Sequence, residues 1–302
     1  MTRIARVVPV LALLAVPASA DTPADLAKRI QKAIAAKNMD ALAAEVDQFA
    51  TLTGMEQFAL LDIVVDCQTA ACTTSVGPLS EKATERIKAQ ADEGVEATAK
   101  PEGSIELAMK EADGTGSMSG HFPYAKVGGA YRIVGSRPTA AQLAKLKATT
   151  PQAATDARLA KGIDDDPAWK TKAKALPAGG GEPGQAWLAS VQALGAAVAA
   201  KDVDAAAKAR GSWGQMVLGA TDYSGKPRPL AERQLKLRSQ SARFIVAAKV
   251  LGGYQLGDTA VLTIEGTNGA GNALKGPIVL SKRDGTWDIA DHFSLIEIPK
   301  GL

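Results

Sequence analysis

Apolar side chains recur every three or four residues in several stretches, which is the spacing that places them on one face of a helix. In the first half of the chain this pattern predicts helices near Pro23–Ala36, Met39–Phe49, Ser80–Ala91 and Thr139–Lys147. In the second half it predicts helices near Gln185–Ala200, Val203–Ala209 and Leu230–Ser241.

Other stretches alternate apolar and polar residues and are bounded by glycine, which is typical of half-buried strands. The predicted strands lie near Val95–Lys100, Ser104–Glu111, Ser117–Lys126 and Ala130–Gly135, and again near Arg243–Leu251, Thr259–Glu265, Ala273–Ser281 and Thr286–Asp291. Each half thus has helices first and a strand meander after them. This order predicts the α+β class, with helices covering one face of an antiparallel sheet in each half.

The two halves share short sequence motifs. Ala33–Ala43 (AIAAKNMDALA) matches Ala197–Ala207 (AVAAKDVDAAA), and both motifs are typical of a helix end, a polar break and a second, capped helix. Lys126–Ile133 (KVGGAYRI) matches Lys282–Ile289 (KRDGTWDI), each typical of a hairpin turn followed by a strand. The matches occur in the same order, at offsets of 164 and 156 residues, so we predict a tandem duplication.

The predicted organisation has four parts. A leader at residues 1–20 precedes a first α+β repeat at 21–150 and a second at 185–302. Residues 151–184 are rich in proline, glycine and charge, and we expect a linker with one short helix entered at Asp166-Pro167.

The shared pattern resembles the NTF2-like domains, also described as ketosteroid-isomerase-like or cystatin-like α+β rolls. The resemblance rests on the AAKDVDA run after an opening helix and on the later K-x-x-G-x-W-x-I strand. It implies a curved sheet wrapped around a long helix to form a cone. Enzymes, binding modules and interaction partners all use this cone, so the resemblance does not by itself assign a function.

The first twenty residues have the features of a secretory signal peptide. Arg3 and Arg6 precede an apolar run at Val7–Val16, and Ala18–Ala20 form an A-x-A cleavage site before Asp21. The run is too short to span a bilayer, and no later segment is apolar enough to do so. We therefore expect a periplasmic or secreted protein without a membrane span.

Composition and charge exclude some classes of protein. With 46% hydrophobic residues, the chain is not disordered throughout. Without the leader it carries 33 basic and 32 acidic side chains, so nothing in the overall balance indicates nucleic-acid binding. The charge is unevenly distributed: residues 21–150 have 14 basic and 17 acidic side chains, whereas residues 183–302 have 14 and 10.

The cysteines are Cys67 and Cys72, separated by four residues. In an oxidising compartment a pair at this spacing is expected to form a local disulfide. A redox role would more often use C-x-x-C, and a zinc site would need two further ligands, so we expect neither a redox centre nor a metal site.

No catalytic signature is found. Asp291 and His292 are the closest approach to an acid–base pair, but strand alternation would place their side chains on opposite faces. Tyr131 and Trp287, with Asp291, are the candidate lining of a cone pocket, although large aromatic side chains more often pack in a core. We expect no catalytic residue, no cofactor and no metal ligand.

A basic segment in the second half is the remaining candidate site. It consists of Lys226, Arg228, Arg233, Lys236, Arg238 and Arg243. Three alternatives fit it: a solvated helix face, a docking site for an anionic partner, or an interface with the acidic first half.

These observations predict a non-catalytic periplasmic protein that binds a macromolecular partner, such as an inhibitor or immunity protein directed against a toxin or lytic enzyme. The first alternative is a pocket that binds a lipid or other hydrophobic small molecule, with or without isomerase activity. That alternative requires an open cavity containing a polar group of shifted pKa. The second alternative is a structural envelope protein whose domains pair or form a homodimer.

Overall fold

The computed structural model describes residues 21–68, 70–111, 117–163, 166–222, 225–291 and 294–302. The predicted leader, residue His292 and the side chain of Asp291 lie outside the described part. Within the described part the architecture is mixed α+β, and the strands pair antiparallel in each sheet. The predicted fold class is confirmed at this level.

The first half contains one main sheet and its covering helices. In chain order its elements are α1 (Pro23–Ala35), α2 (Met39–Ala44), a 3₁₀ turn (Phe49–Thr51), α3 (Gly54–Asp66), β1 (Ala70–Gly77), α4 (Glu81–Asp92), β2 (Val95–Ala97), β3 (Gly103–Glu111), β4 (Ser117–Val127), β5 (Ala130–Ile133) and β6 (Ser136–Pro138). The strand order in the main sheet is β1-β3-β4-β5, and β2 pairs with β6 separately.

The remaining elements build a larger sheet. They are α5 (Ala140–Ala148), α6 (Pro151–Ala160), α7 (Ala168–Thr171), β7 (Lys174–Leu176), α8 (Gly181–Ala200), α9 (Val203–Ala209), α10 (Gly211–Leu218), α11 (Leu230–Ser241), β8 (Ile245–Leu256), β9 (Thr259–Asn268), β10 (Ala273–Arg283), β11 (Thr286–Asp291) and β12 (Ile296–Ile298). The sheet order is β11-β10-β9-β8-β7, with β12 also paired to β10. Register shifts interrupt the β8–β9 pairing, and irregularities of this kind bend a sheet.

The two halves follow the same local course at their first pair of helices. Lys37 and Lys201 both have positive φ, at 54° and 56°, and each ends the first helix. The next residues, Asn38 and Asp202, accept hydrogen bonds from the backbone at the start of the second helix. The later order of elements also corresponds, with β1-β3-β4-β5 in the position of β8-β9-β10-β11, except that α4 and β2 have no counterpart in the second half.

Helix α3 was not predicted from the sequence. Seven of its thirteen residues are buried, on more than one side of the helix, so the amphipathic spacing that marks a surface helix is absent. Its start is nevertheless encoded locally, because Thr53 and Glu56 form a reciprocal capping box. The helix packs in the first core and also against α11 of the second half.

A polar cluster connects the start of α3 to the end of the chain. The carboxylate oxygen Oε1 of Glu297 accepts hydrogen bonds from the backbone N–H of Gly54 at 2.6 Å and from Asn268 and Asn272 at 2.8 and 2.6 Å. Asn272 also donates to the carbonyl of Leu52 at 2.9 Å. A negative group at a helix N-terminus is favourable, so this contact fixes α3 against the second half.

Residues 151–184, predicted as a linker, contain α6, α7 and β7. Thr155 on α6 is fully buried, and its hydroxyl lies 2.9 Å from that of Thr263 on β9. Trp169 packs with Val261 and Val279 on the same side of the larger sheet, while α8 packs on the other. This sheet is therefore covered on both faces. The prolines and glycines that indicated a linker instead serve helix starts and tight turns, such as the Pro151 start of α6.

Candidate ligand cavities and the predicted site residues

The first half encloses a cavity of about 860 Å³ between α3, α4 and the strands β4 to β6. We call it the Glu56 cavity. Its lining includes the apolar side chains of Leu52, Leu60, Ile87, Phe122, Ile133 and Val134. Ligand pockets in proteins commonly have volumes of about 300–1,000 Å³ and mainly apolar walls, and this cavity has both features.

Helix α4 forms one wall of this cavity. Ala83, Ile87 and Gln90 line it, and their spacing of four and three residues places them on one face of the helix. None of the α4 side chains described is fully buried. The helix thus spans the cavity without filling it.

Glu56 brings a carboxyl group into the mainly apolar lining of the cavity. Its Oε2 accepts hydrogen bonds from the backbone N–H of Thr53 at 3.3 Å and from the Thr53 hydroxyl at 3.2 Å. Burial raises the pKa of Glu56 above its usual value, although hydrogen bonds from Thr53 and Ser136 act in the opposite direction. Desolvation is the larger effect, so the protonated form is favoured relative to a carboxyl group in water.

Polar side chains also lie at the edge of the cavity. Arg86 and His121 line it and are exposed to solvent. The Nδ1 atom of His121 lies 3.8 Å from Oε1 of Glu106 on the neighbouring strand. These polar groups are therefore placed where an apolar ligand with a polar end could leave that end in water.

The second half has a smaller cavity of about 430 Å³, which we call the Arg210 cavity. It lies between α8, the junction of α9 with α10, and the hairpin from β10 to β11. Trp187 and Trp287 both line it, and both are buried.

Of the three candidate pocket residues, Tyr131 and Trp287 lie in different halves of the chain and do not share a cavity. Trp287 lines the Arg210 cavity, and its indole Nε1 lies 3.4 Å from a carboxylate oxygen of Glu182. Tyr131 is in the other half, half-buried and packed edge-on against Tyr124 with ring centroids 5.6 Å apart. The side chain of Asp291, and with it the Asp291–His292 pair, lies outside the described residues.

Two members of the basic segment contact the first half. The Nζ atom of Lys236 lies 2.7 Å from Oδ2 of Asp62 on α3. Arg238 pairs with Asp40 on α2. Both contacts join a second-half cation to a first-half acid, as in the interface alternative for this segment.

The other members of the basic segment differ in exposure. Arg233 is buried, donates to the carbonyl of Leu218 at 2.8 Å and pairs with Asp204. The Arg243 guanidinium stacks over the ring of Phe58 at 4.4 Å. Arg228 donates to two backbone carbonyls near the end of α10, and Lys226 is exposed.

The predicted disulfide is present. Cys67 and Cys72 are bonded, with their Cα atoms 5.7 Å apart, and both pack against the first core. The bond connects the end of α3 to β1. Within the described part of the chain, no group of three or more His, Cys, Asp or Glu side chains could hold a metal ion.

No membrane-spanning segment is found among the helices of the described residues: none is both long and apolar enough to cross a bilayer.

No protein-family model matches the chain, and no curated protein matches it. Among solved structures, the chain is similar to a cystatin-like protein from Ruminococcus gnavus ATCC 29149. The two share 11% sequence identity over 86% of this chain and 82% of that one, with a TM-score of 0.16. A score this low supports no argument about fold or function.

Proposed function

We propose that this is an exported protein that binds a small, mainly apolar molecule in the Glu56 cavity. The observation that carries the proposal is a cavity of about 860 Å³ whose mainly apolar lining includes one half-buried carboxyl group of raised pKa. The small-molecule alternative requires an open cavity that contains a polar group of shifted pKa; Glu56 supplies that group here, in place of the expected Asp291.

The packing around α4 supports ligand binding. A helix that covers a core normally buries its apolar face, whereas the described side chains of α4 are at most half-buried. Ile87 and Phe122 both line the cavity, so they form apolar surface that a ligand would cover. An apolar occupant would stabilise α4 by removing this surface from water.

We further propose that the two halves are diverged copies of one NTF2-like domain. The shared helix break at Lys37 and Lys201, the shared caps at Asn38 and Asp202 and the shared strand order support this. In this interpretation, α4 and β2 are an insertion in the first copy. The insertion supplies a wall of the Glu56 cavity and would make ligand binding a property of the first copy.

Export is supported by the Cys67–Cys72 bond, since disulfides persist in oxidising compartments. It is also supported by the signal-peptide pattern in residues 1–20. We therefore place the protein in the periplasm or outside the cell.

Binding of a macromolecular partner through the basic segment is less well supported. Arg233, Lys236, Arg238 and Arg243 already make polar or ring contacts within the chain. A docking partner would have to compete with these contacts.

Catalysis at Glu56 is also less well supported than binding. A general base needs a free lone pair directed at the substrate. The Glu56 carboxyl already accepts hydrogen bonds from Thr53 at the start of α3 and from Ser136 on β6, and a substrate would have to compete with these for it. The raised pKa favours the neutral carboxyl relative to a carboxyl group in water, and this lowers the cost of placing an apolar ligand beside it.

The test is fluorescence titration of the chain from residue 21 with N-phenyl-1-naphthylamine, a neutral apolar probe that becomes fluorescent on leaving water. We expect saturable binding. The Ala83→Phe substitution, on the cavity face of α4, should weaken probe binding at least about tenfold because the larger side chain occupies part of the Glu56 cavity.

The matched control is Ala89→Phe, on the same helix at an exposed position that does not line the cavity. It should bind the probe like the parent protein. Equal binding by the Ala83→Phe and Ala89→Phe variants, or no saturable binding by the parent, would contradict the proposal.

A further inference from the structure

The Arg210 cavity contains a cation for which the described residues supply no ionic partner. Arg210 lies where α9 meets α10, and the following Gly211 turns the chain with a φ of +60°. Its guanidinium lies 4.9 Å from the ring centroid of Trp213 and 5.5 Å from that of Phe244. Within the part of the chain that the structure describes, no acidic side chain forms an ion pair with Arg210.

Two buried donors in this cavity lack acceptors among the described residues. The Nε atom of Arg210 and the Nε1 atom of Trp187 are both inaccessible to solvent and have no hydrogen-bond partner in the described part of the chain. Trp187 is only 3% exposed, and both residues line the cavity. Buried N–H groups without acceptors are rare, because each costs the free energy of its lost hydration.

The charged groups near Arg210 also leave the charge of its guanidinium poorly compensated. Burial lowers the pKa of Arg210, and Arg243 adds to this, while Asp288 has the opposite influence. Asp288 does not form a close pair, and its Oδ1 accepts the backbone N–H of Ile289 at 2.8 Å. The guanidinium is thus partly removed from water, and Asp288 offsets its positive charge only from a distance.

We propose that the Arg210 cavity binds a small organic carboxylate, whose negative group is held by Arg210 and by the indole N–H of Trp187. A guanidinium matches a carboxylate with two parallel hydrogen bonds, and such charge-assisted bonds are about twice as strong as neutral ones. Val191, Leu194 and Ile245 also line the cavity, so the rest of the ligand would contact apolar surface.

The charge around the cavity agrees with an acidic ligand. Lys208, Arg210 and Arg283 line it together with Asp284 and Asp288, which leaves an excess of one positive charge. The volume of about 430 Å³ restricts the ligand to a small molecule. This site is in the opposite half from the Glu56 cavity and does not depend on the function proposed there.

The experiment compares phenylacetate, cyclohexylacetate and octanoate with phenylacetamide, the neutral counterpart of the first. Saturation-transfer NMR detects weak binding, and titration of tryptophan fluorescence gives the dissociation constant. We expect at least one carboxylate to bind and to outcompete phenylacetamide by about tenfold or more. Failure of all three carboxylates to bind, or equal binding of phenylacetate and its amide, would overturn the proposal.

Variants locate the site. Arg210→Gln removes the charge and should weaken carboxylate binding at least about tenfold, and Trp187→Phe keeps an aromatic ring but removes the donor and should weaken it less. Arg137→Gln, at a first-half arginine paired with Glu96, is the matched control and should bind as the parent does. Unchanged binding by a folded Arg210→Gln variant would overturn the proposal.

The two cavities are distinguished by exchanging probes and variants. Ala83→Phe should leave carboxylate binding intact, and Arg210→Gln should leave N-phenyl-1-naphthylamine binding intact. Loss of carboxylate binding in the Ala83→Phe variant would place the ligand in the Glu56 cavity and so overturn the assignment to Arg210.

Discussion

Lys236 of the second half and Asp62 of the first half are joined by an ion pair of 2.7 Å between Nζ and Oδ2. The other carboxylate oxygen of Asp62 accepts a hydrogen bond of 2.7 Å from the hydroxyl of Ser239. The Asp62 side chain is 14% exposed and that of Lys236 is 24% exposed, so the pair is largely shielded from water. It holds α11 against α3 at the contact between the two halves.

Replacement of Asp62 by alanine should lower the free energy of unfolding by about 2 kcal/mol, because it leaves a half-buried ammonium group without its partner. Urea unfolding followed by circular dichroism measures this. Asp40→Ala is the matched control, because its pair with Arg238 crosses the same contact but its side chain is 82% exposed. That change should cost less than about 1 kcal/mol. Equal losses for the two variants would show that shielding from water does not strengthen the Lys236–Asp62 pair.

The start of α3 leaves no room for a side chain at Gly54. A Cβ atom there would lie 2.4 Å from the carbonyl oxygen of Ala242 and 2.5 Å from Nδ2 of Asn268, both in the second half. Gly54→Ala should therefore destabilise the protein by about 2 kcal/mol. The added methyl group would push the start of α3 away from the second half and weaken the hydrogen bond from the Gly54 N–H to Glu297. Met55→Ala, at the exposed next residue, should change stability by less than about 0.5 kcal/mol. A Gly54→Ala variant as stable as Met55→Ala would contradict the close approach seen at α3.

The elements that were predictable have patterns contained in their own sequences. The helix break at Lys201-Asp202 and the hairpin at Asp284-Gly285 are examples, since turn and cap chemistry act over a few residues. Helix α3 was missed because it is buried by contacts with a distant part of the chain, although the Thr53–Glu56 capping box marked its start. Local sequence patterns also could not predict the contacts of Trp169 with the larger sheet, because residues far apart in sequence make them.

The two candidate cavities also could not be predicted from local sequence patterns. The sequence offered Tyr131, Trp287 and Asp291 as a candidate pocket lining and assigned no role to Glu56 or Arg210. A cavity is space between elements, so its presence depends on their relative positions, which local pattern does not determine. For Arg210 the local signal was only an arginine before a glycine at a helix junction.

The Cys67–Cys72 bond is expected to stabilise the first half by reducing the conformational entropy of the unfolded chain. Replacement of both cysteines by alanine should lower the free energy of unfolding by about 2 kcal/mol, the amount expected for a loop of this length. Urea unfolding with and without dithiothreitol measures the effect. The parent protein should lose a similar amount on reduction, whereas the double variant should not respond to the reductant. A double variant as stable as the oxidised parent would show that the bond has no stabilising role.

Glu56 should make stability depend on pH in a direction opposite to that of most surface acids. Its folded-state pKa is raised above the ordinary 4.5, so between these two values the folded protein binds more protons than the unfolded chain. The contribution of Glu56 to the free energy of unfolding is therefore most favourable below pH 4.5. It decreases as the pH rises through the folded-state pKa, because folding then requires a buried carboxylate.

Glu56→Gln removes this titration and keeps a side-chain oxygen for the Thr53 cap. Relative to the parent, the variant should gain stability as the pH rises above 4.5, and its own profile should lack the decrease due to Glu56. Asp66, whose pKa is also raised by burial, titrates in both proteins, so the difference between their urea-unfolding profiles isolates Glu56. Glu85→Gln, at an exposed position on α4, should give a difference that is flat with pH. If the stability profiles of Glu56→Gln and the parent run parallel with pH, the Glu56 carboxyl is solvated in the folded protein. The carboxyl would then not support the proposal that the Glu56 cavity binds a ligand.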